Sequence, residues 1–171
     1  MTVSRCRELI AAGERAKLGE FIVERFEERY FSPLNRSESK NGFAMMAIAC
    51  LVIETLESFY QGLADTRRGG GQKIFQSFFE RSSSLRGLGE NGGWFFKDVR
   101  CGILHQAETR GGWKILRKGP LLDCQNKTIN ATCLMKQLQS EVQEYAIVLK
   151  SDDTVWENCC KKLQAICSNC Q

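Results

Sequence analysis

Residues 43 to 53 read "FAMMAIACLVI", an unbroken apolar run of eleven residues. No other stretch constrains the fold as strongly. It is too apolar to lie on a wetted surface, and too short to cross a bilayer, which takes about 20 residues. It is therefore expected to be the most buried helix of a soluble domain, and the rest of the chain must supply its cover.

The flanking segments have the right pattern for that task. Residues 5 to 30 read as one long helix, with Leu18, Phe21, Ile22, Phe26 and Tyr30 at three- and four-residue steps. "FSPLNRSES" breaks it through Pro33 and its turn-favouring neighbours. A second helix, about 39 to 62, contains the apolar run, and Glu54 and Glu57 mark where its solvated end begins. "KIFQSFFER" (73 to 81) is a short helix with Ile74, Phe75, Phe78 and Phe79 on one side. A helix over about 94 to 107 carries Phe95, Val99 and Ile103. "WKIL" and "PLLDC", joined by "RKG", form a small hairpin. Asn130 is placed as the N-cap of a helix over about 131 to 150, built on Leu134, Leu138, Val142, Tyr145 and Leu149. "SDDT" caps a last helix, about 153 to 168. The fold expected is an all-α bundle of five to six helices with a small β-hairpin insertion. It forms one domain over residues 1 to 171, since no repeat or long linker divides the chain.

A net charge of +4 is mildly basic, compatible with nucleic-acid contact without demanding it. The nine cysteines are odd in number, and several fall in helix interiors. No apolar leader opens the sequence. A reduced, cytoplasmic chain with free buried thiols follows, with no membrane partner. The three sequon-like triplets, at Asn35, Asn126 and Asn130, then carry no meaning.

Chemistry concentrates in residues 100 to 105, R-C-G-I-L-H, which hold the only histidine. Cleaving RNA without a metal needs a base for the 2′-OH, an acid for the leaving 5′-oxygen and a cation at the phosphate. His105 can be acid or base near neutral pH, and Arg100 can grip two phosphate oxygens. On an ideal helix the two positions differ by roughly 140°, so they share no face cleanly. The long arginine side chain closes part of that gap, and Gly102 is expected to loosen the turn between them.

Arg-x4-His on a helix of an all-α bundle resembles the signature of the HEPN domain superfamily, whose pattern is Arg, four to six residues, then His. The surrounding "GGWFFKDVRCGILHQAETRGGW" also looks like the motif region of bacterial members. The resemblance covers that motif and the helix order across most of the chain. It implies a metal-independent endoribonuclease of the kind found in toxin–antitoxin, CRISPR-associated and abortive-infection systems. It also implies a homodimer whose two motifs face each other across one cleft. Each site would then hold two histidines, enough for an acid and a base. RNA is the implied substrate, an antitoxin or other regulatory protein a possible partner, and no cofactor or metal is required. The chain departs from the pattern at Cys101, where catalytic members usually carry a polar residue. That departure, and the lack of a fused sensor domain, favour the alternative of a non-catalytic HEPN-like module binding a nucleotide, RNA or a partner protein.

Other residues are candidates for support. Glu54 can orient Arg100 or His105, and Cys101 can donate a weak hydrogen bond. "TRRGGGQK" offers Arg67, Arg68 and Lys73 around three glycines; it lacks P-loop spacing and otherwise reads as a solvated loop. Arg110 and Lys114, with Arg117 and Lys118, can extend a basic surface along an RNA backbone. Cys159, Cys160, Cys167 and Cys170 have zinc-like elements of spacing. However, Cys160, Leu163, Cys167 and Cys170 step as a buried helical stripe, which is the simpler reading. A Cys101–His105 nucleophile pair is conceivable at i,i+4, but a spacer role for Cys101 explains it more simply.

Overall fold

The apolar run becomes the centre of the molecule. In the computed structural model, which describes residues 2–35, 40–66, 70–90 and 92–170, it lies within helix α4, Gly42–Gln61. By length and composition alone α4 could cross a membrane. Here it is the core helix: Met46, Cys50, Val52, Ile53 and Leu56 lose all solvent contact. Helices α5 (Gly71–Arg81), α7 (Ala131–Ser151) and α8 (Asp153–Asn169) pack around it. Burying a side chain of this size contributes about 1.5–3 kcal/mol, so a helix apolar nearly all round is most stable with several neighbours.

The long helix expected over residues 5 to 30 is two helices. α1 spans Val3–Ala11 and α2 spans Arg15–Phe26. Gly13 sits between them at φ +66°, a left-handed conformation that glycine adopts without steric cost. The chain turns there, and α1 packs against both α2 and α8. The break expected at Pro33 does not occur where the sequence placed it. The helical backbone continues through a π turn, Glu27–Phe31, into the short helix α3, Ser32–Asn35. Proline would break the ladder of an α-helix; the wider turn comes directly before it.

A second π segment, Phe95–Arg100, leads into α6, Cys101–Gln106. Phe95, Val99 and Ile103, expected to face the core, are all buried. Phe95 meets Phe75 and Phe79 of α5 at centroid distances of 5.8 and 5.2 Å.

The hairpin is also paired differently. Strands β1 (Lys114–Leu116) and β2 (Leu122–Asp123) do not pair with each other. Both flank β3, Thr128–Asn130, with β1 parallel to it and β2 antiparallel. The buried side chain of Ile129 pins β3 against the bundle. Asn130 then ends the strand and caps α7, its Oδ1 accepting from the Cys133 amide at 3.1 Å. Asp152 caps α8 in the same way through the Val155 amide at 2.9 Å. The five residues expected to build α7, from Leu134 to Leu149, are all buried. On α8 the buried stripe steps by four, through Val155, Cys159, Leu163 and Cys167. Cys160 is half-buried and Cys170 exposed, so the stripe is not the one expected. The result is a mainly helical bundle with a small three-stranded sheet.

Candidate functional site

Arg100 ends the π segment and points inward at α4. Its Nη2 donates to both carboxylate oxygens of Glu54, at 3.2 and 3.1 Å. The guanidinium also lies 5.3 Å from the Phe96 ring centroid. Its Nε is buried and has no hydrogen-bond partner among the described residues. Glu54 therefore does not mark a solvated helix end. Nor does Glu57, which is buried and held by Arg81 and by Gln61 Nε2 at 2.6 Å. Both carboxylates stay inside because a cation from another helix reaches each of them.

One turn before Glu54, Cys50 is fully buried. Desolvation pushes its thiol far up; Arg100 opposes this, while Glu54 and Cys101 add to it. Cys50 and the half-buried Cys101 thus belong to the same α4–α6 contact. Cys50 was not singled out from the sequence. Its only signal is the four-residue step to Glu54 on the same helix.

His105 points the other way. It is exposed, and among the described residues its imidazole has no hydrogen bond or ion pair. Among the described residues no hydrogen bond joins Arg100 to His105; the partner of the guanidinium is Glu54. Gly102 has a different role from the one expected of it. A Cβ there would stand 2.5 Å from the Glu108 carbonyl oxygen and 3.1 Å from Thr109 Cα. Its bareness lets the segment after α6 fold back onto the helix. That segment is fastened by the Arg110 amide donating to the Asp98 carbonyl at 2.8 Å, and by the Trp94–Trp113 stack at 3.8 Å.

An open cavity of about 640 Å³ lies beside Glu54. Leu51 of α4, Leu104 of α6, Thr66 and Lys162 line it, together with Asp65. Leu51 and Leu104 are among the exposed large apolar side chains. Its charged lining, Glu54, Asp65 and Lys162, is mixed rather than basic. Arg67 and Arg68 lie outside the described residues. The segments on either side approach the site: Thr66 lines the cavity, and a Cβ on Gly71 would lie 3.9 Å from Glu54 Oε1. Lys73 is exposed in the first turn of α5. Arg110 is exposed and bonds Gln106 at 3.2 Å, next to His105, and Lys114 is exposed on β1. The cations thus divide between the two ends of the π–α6 segment.

All nine cysteines are free thiols. Among the described residues, no three Cys, His, Asp or Glu side chains converge in a way that could hold a metal ion. No family model, curated protein or solved structure matches this chain.

Proposed function

We propose that the chain is a metal-independent endoribonuclease of the HEPN kind. It acts as a homodimer on RNA in cytoplasmic stress response or defence, with an antitoxin or similar protein holding it in check. The observation that carries this reading is the state of His105. Its imidazole is exposed on the helix that follows Arg100 and has no partner among the described residues, so it is available to a second chain and to RNA. A buried, hydrogen-bonded histidine would have argued the opposite.

The chemistry follows from the residues. One His105 removes the 2′-OH proton, and the 2′-oxygen attacks phosphorus. The His105 of a second copy protonates the departing 5′-oxygen, leaving a 2′,3′-cyclic phosphate and a 5′-hydroxyl. Arg100 stays charged throughout. Glu54 occupies Nη2 and holds the guanidinium's orientation, leaving other N–H groups to meet the phosphate as charge develops.

A second reading has its own support. The cavity beside Glu54 is of mixed charge, and Glu54 already neutralises the Arg100 guanidinium. A non-catalytic module that docks a nucleotide, RNA or a protein through this face fits those features.

The test is cleavage of labelled single-stranded RNA in EDTA by the parent chain, His105→Ala and Arg100→Ala, each verified as folded and dimeric. The nuclease reading expects cleavage by the parent alone, with specific activity falling on dilution below the dimer dissociation constant. Equal cleavage by parent and variants, or none by any, removes it in favour of the binding module.

A further inference from the structure

A second cavity, of about 450 Å³, adjoins the first along α4. Thr55 lines both this cavity and the one beside Glu54. Its volume is within the roughly 300–1,000 Å³ typical of small-molecule sites. Phe21, Phe26, Phe59 and Ile166 make much of its wall apolar. The charged residues in its lining are Arg25 and Arg29, with no carboxylate among them. Arg25 is half-buried, and neither arginine has an ion pair among the described residues. Arg25 packs over Phe21, with its guanidinium carbon 5.9 Å from the ring centroid. Its charge also acts on the thiol of Cys6 on the cavity wall. A partly desolvated cation at the edge of an apolar hollow is stabilised by an anion.

We propose that this cavity binds a single-chain fatty-acid carboxylate, with its chain between α1, α2 and α8 and its head on Arg25 and Arg29. An apolar body satisfies the aromatic wall. A carboxylate matches the planar fork of arginine with two parallel hydrogen bonds. The site is independent of the ribonuclease reading, since none of its residues belongs to the Arg100–His105 machinery.

Calorimetric titration of the folded chain with decanoate, below its micelle concentration, tests the assignment. One saturable site per chain is expected, with decanol binding about tenfold more weakly or worse. Arg25→Gln and the more exposed Arg29→Gln should each weaken decanoate binding and leave decanol unchanged. Bound decanoate should also slow iodoacetamide labelling of Cys170, which lines the cavity, but not of Cys124, which is exposed in the turn after β2. The proposal is overturned by absence of saturable binding, by decanol binding as tightly, or by indifference to both substitutions. It is equally overturned if decyl phosphate binds and decanoate does not. If decanoate fails and Phe21→Asp instead changes the oligomeric state, the face belongs to a second copy of the chain.

Discussion

The Glu54–Arg100 pair makes a stability prediction that must be settled before any loss of RNA cleavage is interpreted. Both side chains are largely shielded, at 17% and 21% exposure, and their closest atoms are 3.1 Å apart. At an effective dielectric of about 20, the attraction at that separation is about 5 kcal/mol before desolvation is subtracted. Desolvating two ions consumes much of this, so the intact pair contributes little net stability. Breaking it is a different matter. Glu54→Leu leaves a guanidinium whose Nε already lacks a partner, and should cost about 2–3 kcal/mol. Arg100→Met leaves Glu54 uncompensated and should cost a similar amount. The double variant, apolar on both sides, should lie within about 1 kcal/mol of the parent. Urea unfolding of all four proteins gives the coupling energy directly, expected from these costs at about 3–6 kcal/mol. Costs that add to within about 0.5 kcal/mol would show that the two charges do not share a desolvated contact, and the account of Arg100's orientation would fall.

Three further outcomes follow from other contacts. Gly102→Ala should cost about 1–3 kcal/mol in thermal melts, because the obstruction is the backbone at Glu108 and Thr109 rather than a flexible tip; a parent-like melting temperature refutes the close approach. Tyr145→Phe should be neutral or stabilising by up to about 1 kcal/mol, since among the described residues its buried hydroxyl has no partner beyond the weak sulfur acceptor of Cys159; a loss of more than about 1 kcal/mol would reveal a stronger partner. Burial, reinforced by a hydrogen bond with Cys167, pushes the Cys6 thiol up to about 11, and burial pushes Cys159 up to about 12. Folding thus holds these protons more tightly than the unfolded chain, whose thiols titrate near about 8.5. Stability should be full below that pH and fall as pH rises toward 11, with Cys6→Ala flattening the decline; a flat melting temperature across that window refutes it.

Much of the helical order was legible because burial imposes a period. α7 is the clearest case: its five expected residues fall on one stripe, and its cap is an asparagine placed three residues before the amide that it accepts from. Errors occurred where two local signals competed. Gly13 lies in an otherwise helical pattern, where one glycine is tolerated or ends a helix according to what packs on either side. Pro33 reads as a breaker, yet a π turn before it lets the helical backbone continue. β3 is three residues long with a single buried side chain, Ile129, too short to show an alternation.

The site was legible as chemistry but not as geometry. Arg-x4-His names a cation and a proton carrier, and the angular arithmetic already separated them. What the sequence could not display was the direction of each side chain. That is fixed by a contact across 46 residues, from the π segment before α6 to α4, where Glu54 captures the guanidinium. The same contact turns Arg100 toward α4, while His105 stays exposed. One histidine cannot be base and acid in the same step, so a mechanism that uses imidazole for both needs the His105 of a second copy. The dimer in the proposed mechanism answers that proton inventory as well as the implication of the motif.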